Sequence, residues 1–202
     1  MPIFLDDRFC FGTNESMSFF KCCVGGDKKA LALWLLCLKG LQCPFCHCSE
    51  SLNRHSFLFG NDPNGRQGQC LRGQRVFCSD RGQRGGCGRT FPVFLADVLP
   101  RHTVTASLLW TLLCSLLTGL SLKAAVESLR ALFSLDTFYR LRQRLRLRLD
   151  VVRSLLCREQ NPPSSSQADP LLQTVEHFQT VFPDVPCPLQ QFQIRFDQAL
   201  MG

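Results

Sequence analysis

The sequence predicts an α+β protein. A small β unit built around paired cysteines is followed by a three-helix bundle, with a flexible N-terminal arm and an acidic C-terminal tail. Two observations favour this fold class. Cys43 and Cys46 stand in the motif CPFC, and Cys78 and Cys87 flank a Gly/Arg-rich loop that follows a strand-like segment. After residue 103 the pattern becomes helical, with capping residues at the breaks.

Composition divides the 202 residues into five segments. These are an arm with a short apolar segment, the cysteine unit, a helical domain, a linker rich in Pro and Ser, and the acidic tail: residues 1–40, 41–103, 104–158, 159–170 and 171–202. We expect the apolar segment of the arm to pack onto the neighbouring cysteine unit.

The net charge of +7 is concentrated in the middle of the chain. Residues 121–158 hold nine Lys and Arg against three Asp and Glu, whereas residues 159–202 hold one Arg against five acidic residues. A basic middle indicates a polyanion as partner, and the alternative is a solvated basic surface. A further hypothesis is that residues 171–202 fold back on the arginine-rich helix and weaken binding of that partner.

Thirteen cysteines without a convincing secretory signal indicate a reducing, cytoplasmic location, where paired cysteines favour a metal over disulfides. The apolar run 30–38 is too short to span a bilayer, which takes about 20 apolar residues, so no membrane role is expected. Seven cysteines show no ligand-like arrangement and are expected to be mostly small, buried apolar residues: Cys10, Cys22, Cys23, Cys37, Cys114, Cys157 and Cys187.

Strands are expected on both sides of the strong turn sequence NDPNG at residues 61–65. The first is the aromatic-rich segment SLNRHSFLFG, residues 51–60, and the second is Gly73–Cys78. After Cys87 the segment RTFPVFL is expected to leave the unit, and Pro92 limits helix formation there.

Three helices follow. The first is expected over Thr105–Thr118 and ends at Gly119, Ser121 is the N-cap of the second, and Ser134 caps a long third helix. The third helix has an apolar stripe, which either faces the core or forms the seam of a homodimer: Phe138, Leu141, Leu145, Val152 and Leu155.

The four motif cysteines suit a structural Zn²⁺ site. Zn²⁺ prefers four thiolates in a tetrahedron, and a C-x2-C turn offers two of them to one ion. Eight residues separate Cys78 from Cys87, but a Gly-rich loop can return Cys87 beside Cys78, and Gly88 suits a tight knuckle. A full set of four leaves no open position for catalysis. Nearby residues remain as alternative ligands: His47, Cys48, His55 and Cys70.

The order of the helices suits a trihelical helix-turn-helix, in which the third helix enters the major groove of DNA. Asp136, Thr137 and Tyr139 would then face base edges, and five arginines would supply phosphate contacts: Arg140, Arg142, Arg144, Arg146 and Arg148. Successive members of this set lie about 200° apart on a helix, so they cannot share one face. Arg81, Arg84 and Arg89, on and beside the Gly/Arg-rich loop, are a second possible phosphate contact, and simple solvent exposure explains them equally well. The alternative is an ordinary helical bundle with a charged face.

Several motifs together resemble the N-terminal zinc-ribbon and helix-turn-helix region of bacterial insertion-sequence transposases and related stand-alone bacterial proteins. They are CPFC, a strand ending in RVFC, CGRTF before an apolar helix, and SLKAAVESLRALFSLDTFYRLRQRL, over about residues 41–150. The resemblance implies that Cys43, Cys46, Cys78 and Cys87 bind zinc and that the helix from Leu135 recognises DNA, such as the ends of a mobile element. The long spacing between Cys78 and Cys87 departs from the family pattern.

An enzyme is not expected. The transposases that the sequence resembles use a separate RNase H-like domain, in which three carboxylates on a rigid scaffold bind Mg²⁺. Asp169, Asp184 and Asp197 lie instead in the linker and a Pro-broken tail. Cys70 and His55 lack the flanking signature of a nucleophile and its base.

The predicted function is therefore a zinc-dependent, sequence-specific binder of double-stranded DNA, without a nuclease domain or a small-molecule substrate. The alternative is a zinc-ribbon adaptor that binds another protein and no nucleic acid.

Overall fold

The structure, a computed structural model, describes residues 21–22, 28–64, 68–81, 85–130 and 132–201. Several expectations lie outside the described residues: the flexible arm at residues 1–20, the environments of Cys10, Cys22 and Cys23, the end of the turn at Gly65, and Arg84.

A mixed sheet forms the first half of the molecule. Its strands are β1 (Lys21–Cys22), β2 (Leu52–Asn61), β3 (Gln69–Cys78) and β4 (Thr90–Phe94), in the order β1-β4-β3-β2. Strands β2, β3 and β4 are antiparallel, and the two-residue β1 runs parallel to β4. The two predicted strands are confirmed as β2 and β3. The segment expected to leave the unit after Cys87 is β4 instead, because Pro92 disfavours a helix but is tolerated in a strand.

One face of this sheet is apolar. Leu52, Val76 and Val93 are at most 1% exposed, whereas their neighbours along the strands are half-buried or exposed, apart from the buried Ser51. They belong to one cluster with Leu31 and Leu35 of helix α1 (Lys28–Leu36) and with the short 3-10 turn Leu38–Gly40. The predicted packing of the apolar segment onto the cysteine unit is confirmed.

Six helices form the second half: α2 (Ala106–Leu117), α3 (Leu122–Ser128), α4 (Leu135–Leu147), α5 (Leu149–Leu156), α6 (Pro170–Val181) and α7 (Pro188–Phe196). The predicted caps are confirmed. Ser121 and Ser134 accept the N–H groups of Ala124 and Thr137 at 3.2 and 3.4 Å, and Gly119 follows α2 with a φ of +91°. None of the helices in the described ranges is both long and apolar enough to cross a membrane.

The prediction of one long third helix is wrong, because the helix breaks at Arg148 into α4 and α5. An uninterrupted helix would carry this arginine within the buried stripe between Leu145 and Val152. All five residues of the stripe are buried in the protein's own helical core, at 0 to 6% exposure. The alternative in which that stripe forms the seam of a homodimer is therefore wrong.

The chain after the linker is not a separate acidic tail, which corrects the prediction. Helices α6 and α7 contribute Leu171, Phe178, Leu189 and Phe192, each at most 2% exposed, to the same core as α2–α5. Their apolar residues recur at helical spacing while the acidic ones are not in the core, so burial outweighs the charge of the segment. Helices α2–α7 therefore share one core, instead of the separate three-helix bundle predicted from the sequence.

Residues 95–104 join the two halves through polar contacts to buried or half-buried groups. The guanidinium of Arg72 on β3 donates to the carbonyls of Leu99 and His102. From α7, Gln193 donates to the carbonyls of Ala96 and Val98 at 2.7 and 3.2 Å. These contacts attach both the sheet and the last helix to one connecting segment.

Candidate metal centre

Four cysteine sulfurs meet at the end of the sheet. The Sγ atoms of Cys43, Cys46, Cys78 and Cys87 all lie within 4.8 Å of one another, and the pairs Cys43–Cys87 and Cys46–Cys78 are each 3.7 Å apart. Four sulfurs at about 2.3 Å from a tetrahedral ion would be about 3.8 Å apart. A disulfide needs about 2.05 Å. The donor set therefore could hold a metal ion, and it is compatible with structural zinc.

The two pairs of cysteines have matching backbone geometry. The N–H of His47, the residue after Cys46, donates to the carbonyl of Cys43 at 2.9 Å, and the N–H of Gly88, the residue after Cys87, donates to the carbonyl of Cys78 at 3.0 Å. Both following residues have positive φ, +59° and +71°. The second pair thus forms the same kind of knuckle as the first, although eight residues intervene.

Hydrogen-bond donors surround the sulfurs. The N–H of Phe45 lies 3.4 Å from Cys43 Sγ, and the N–H of Cys87 lies 3.3 Å from Cys78 Sγ. The hydroxyl of Ser51, a buried residue, is 3.2 Å from Cys78 Sγ. Such donors stabilise negative charge on thiolates and orient metal ligands.

Close contacts fix the described ends of the returning loop. A Cβ built on Gly86 would lie 2.0 Å from the carbonyl oxygen of Ser79 and 2.8 Å from Cys78 Sγ, so only glycine fits there. The thiol of Cys48 donates to the carbonyl of Gly85 at 3.0 Å. These contacts place Cys87 against Cys78 and explain how the long spacing still yields a compact site.

The thiols of the cluster differ in acidity. Burial raises the pKa of Cys43 to about 12, whereas the backbone N–H of Cys48 lowers the pKa of Cys46 to about 6. Burial also raises the pKa of Cys87. A metal ion bound by all four sulfurs must therefore displace protons, and binding favours higher pH.

The structure brings together the four ligands preferred from the sequence and leaves the alternatives outside the group. Cys48 bonds to Gly85, His55 Nδ1 lies 3.1 Å from Ser56 Oγ, and Cys70 Sγ lies 3.6 Å from the carbonyl of Asn61. His47 contributes its backbone N–H to the knuckle.

The expectation for the other cysteines holds only in part. Cys187 is buried and Cys114 is half-buried, and burial raises the pKa of both thiols. Cys37 and Cys157 are exposed, contrary to the expectation, because each follows the end of a helix rather than occupying its buried face.

Intramolecular contacts occupy much of the predicted DNA-contacting set on α4. Arg142 and Arg146 both donate to Asp169 Oδ2, at 3.0 and 2.6 Å. Arg144 lies 3.1 Å from His102 Nε2. Arg148 is half-buried at the break between α4 and α5.

The residues at the start of α4 are divided between the core and the solvent. Thr137 is half-buried, and its N–H and hydroxyl both contact Ser134 Oγ. Tyr139 is 53% exposed, and Arg140 forms an exposed pair with Asp136 at 2.9 Å. Arg81 is exposed beside the metal centre.

Sequence reasoning missed a cleft of about 510 Å³ on the sheet face opposite the apolar one. Its lining combines one aromatic ring with polar and basic groups: Asn53, His55, Phe77, Ser79, Arg81 and Thr90. The signal was present in β3, where exposed Arg75 and half-exposed Phe77 alternate with buried Gln74, Val76 and Cys78.

Comparison of the chain with protein-family models, curated proteins and solved structures finds no match. The proposal of a function therefore rests on the chain's own geometry, at the metal centre and on the exposed face of α4.

Proposed function

We propose that this protein is a zinc-stabilised, sequence-specific binder of double-stranded DNA, related to transposases and acting by binding rather than catalysis. The exposed face of α4 carries the proposal. Its helical spacing places five exposed residues on the outer side of the third helix after the cysteine unit: Tyr139, Arg140, Gln143, Arg144 and Leu147.

The helix order supports a recognition role for α4. Helix α3 packs against both α2 and α4, and short connections capped by Ser121 and Ser134 join them, as in helix-turn-helix proteins. Phe138, Leu141 and Leu145 fix the inner side of α4 in the core. The opposite side is then available to enter a major groove.

The ion pair on this face would not prevent binding. Asp136 and Arg140 have side chains 66 and 75% exposed, and pairs of this kind contribute little because water and salt screen them. The arginine can therefore exchange its carboxylate partner for a phosphate.

Zinc is the metal we assign to the centre. Four soft thiolates in a tetrahedral arrangement, partly buried and surrounded by N–H donors, match a closed structural zinc site. Such an ion would stabilise the sheet half of the protein and would leave no coordination position for a substrate.

The proposal is tested by fluorescence anisotropy with a mixed-sequence duplex, using Arg144→Gln and the exposed control Arg158→Gln. Duplex affinity should fall steeply with salt, because bound arginines release counterions. Arg144→Gln should weaken binding and lower the salt slope by about 1, and Arg158→Gln should change neither. Absence of duplex binding at low salt, or equal effects of the two changes, would contradict the proposal.

The adaptor is the second candidate, favoured by one observation. Phe57 and Phe59 on strand β2 are 59 and 60% exposed, with ring centroids 6.2 Å apart, and β2 is the last strand of the sheet order. A paired aromatic patch on such a strand is typical of a protein interface. Replacement of both rings by Ser should leave DNA affinity unchanged under the first proposal.

A further inference from the structure

The outer face of the sheet has the composition of a ligand site. On β3, Phe77 pairs in register with Asn53 and Thr90 on its two neighbours, and Arg75 pairs with Ser56 and Pro92. Arg75, Ser56 and Thr90 are exposed, so no described element covers this face.

Phe77 is one of the residues that line the open cleft on this face. It is half-exposed on the central one of three antiparallel strands. The other residues that line the cleft of about 510 Å³ are Asn53 and His55 of β2, Thr90 of β4, and Ser79 and Arg81 just after β3. The six lining residues include no carboxylate. An aromatic ring surrounded by hydrogen-bond donors suits a planar ligand that also carries acceptors.

The charge of this face is not neutralised. The guanidinium groups of Arg75 and Arg81 form no ion pair with any residue in the described ranges, whereas Arg140, Arg142 and Arg146 on α4 are all paired. Arg89, which precedes Thr90, lies over the ring of Phe45 at 5.2 Å and is also exposed. Unpaired cations beside an aromatic floor are complementary to a polyanion with planar groups.

We propose that this cleft binds single-stranded nucleic acid, with a base stacked on Phe77 and the flanking phosphates held by Arg75 and Arg81. A base in a duplex is already stacked on both faces by its neighbours, whereas an unpaired base has a free face that can stack on Phe77. The proposal rests on the proposed function, since both require a nucleic-acid partner. It uses different residues from α4, so the two are separable.

The metal centre positions this site. Cys78 lies between Phe77 and Ser79 in the chain, and Ser79 Oγ accepts the N–H of Arg81 at 3.3 Å. Loss of the metal should therefore remove single-strand binding together with the fold of the sheet.

The test compares three labelled 20-mers, a single-stranded DNA, an RNA and a DNA duplex, by anisotropy at fixed low salt. Phe77→Ala, and the double change Arg75→Gln with Arg81→Gln, should each weaken single-strand binding at least fivefold and leave duplex binding unchanged. Phe59→Ala, an exposed ring outside the cleft lining, is the matched control and should change neither. Equal affinity for single-stranded RNA and DNA would show that contacts to base and phosphate are sufficient for binding. A preference for one of them would show that the sugar is also contacted. Both results agree with the proposal.

Each variant is first checked for metal content, since a misfolded sheet would mimic the expected loss. Phe77→Trp gives a second measurement, because its fluorescence should be quenched by the single strand while affinity is kept or increased. Single-strand binding that survives both cleft variants, or an unquenched tryptophan under saturating ligand, would overturn the proposal.

If Arg144→Gln leaves duplex binding intact while the cleft variants abolish single-strand binding, the α4 assignment fails and this one stands. If no nucleic acid binds, both fail.

Discussion

The two halves of the molecule reach stability in different ways. Among the residues that the structure describes, the core of the sheet half contains 11 buried residues, two of them cysteines of the metal centre. The helical core contains 25 such residues and none of the four candidate metal ligands. A small core leaves little free energy after the loss of chain entropy, and an ion bound by the four cysteines would add to it. The helical half has a larger apolar core, so we expect it to depend less on a bound metal.

The two halves also differ in whether their arginines form ion pairs with carboxylates. On α4, Arg142 and Arg146 pair with the half-buried Asp169, so their charge is largely neutralised within the molecule. On the sheet, Arg75 and Arg81 have no ion-pair partner among the residues that the structure places. Helix α4 is the most arginine-rich stretch of the sequence, but more of its positive charge is neutralised by ion pairs than that of Arg75 and Arg81.

The largest expected effect comes from removing the metal. Cys78→Ser, or treatment with a strong chelator, should unfold the sheet half while the helices persist, because structural zinc contributes about 10–16 kcal/mol in small metal-dependent units. Hydrogen exchange should show lost protection in β2–β4 and retained protection in α2 and α6. Cys48→Ser, next to the site but outside the four sulfurs, is the control and should keep one metal per chain. Simultaneous unfolding of the sheet and the helices would show that the two halves are not independently stable and would contradict the prediction.

The next prediction concerns a substitution in the helical core that should leave the metal centre intact. Phe138→Ala should reduce the free energy of unfolding by about 3–5 kcal/mol, since it leaves a cavity at a fully buried position. Metal content should stay at the wild-type value. Tyr139→Ala, one residue away but exposed, should cost less than about 1 kcal/mol. Urea denaturation followed by circular dichroism measures both, and a loss of metal in Phe138→Ala would show that the halves are interdependent.

A smaller effect is expected at the second knuckle. Gly88→Ala should destabilise the sheet half by about 1–2 kcal/mol, because a residue with a side chain at a φ of +71° is strained. The new Cβ would also lie 3.0 Å from Asp80 Oδ2. Gly40→Ala, with no atom within 4 Å of its Cβ, is the control. Thermal melting of the zinc-loaded protein distinguishes them, and equal melting temperatures would argue against the knuckle geometry.

The smallest effect is expected for Asp169→Asn, which keeps the N-cap of α6 but removes the charge that pairs with Arg142 and Arg146. Unfolding free energy should fall by about 1 kcal/mol at neutral pH. Burial would raise the pKa of Asp169, but the N–H of Leu171 and the two guanidinium groups outweigh it and lower the pKa below 3.8. The contribution is therefore present above pH 3.8 and is lost as pH falls below that value. Urea denaturation followed by circular dichroism at pH 7 and pH 3 measures this contribution. The free energy of unfolding should differ less between the two pH values in the variant than in the wild type.

Local patterns predicted much of this structure. The cysteine motifs, the two long strands and the caps at Ser121 and Ser134 each depend on neighbours in sequence. The same rules failed where distant contacts decide. Asp97 on the connecting segment accepts from Gln190 of α7 at 2.8 Å, and Asp169 pairs with α4; neither contact is visible in composition. The excess of acidic residues therefore predicts a tail at residues 171–202, although Leu171, Val175 and Phe178 recur at the spacing of a buried helix face.

The knuckle around Cys87 has a consequence for how this chain can change. Because the second pair is closed by hydrogen bonds and by the fit of Gly86, and not by residue count, the intervening loop can vary in length. Doubling a loop costs only about 0.6 kcal/mol in closure entropy. Fixed-spacing pattern searches would overlook such a centre. The loop is also a place where insertions can add new contacts beside the cleft while the four sulfurs keep their geometry.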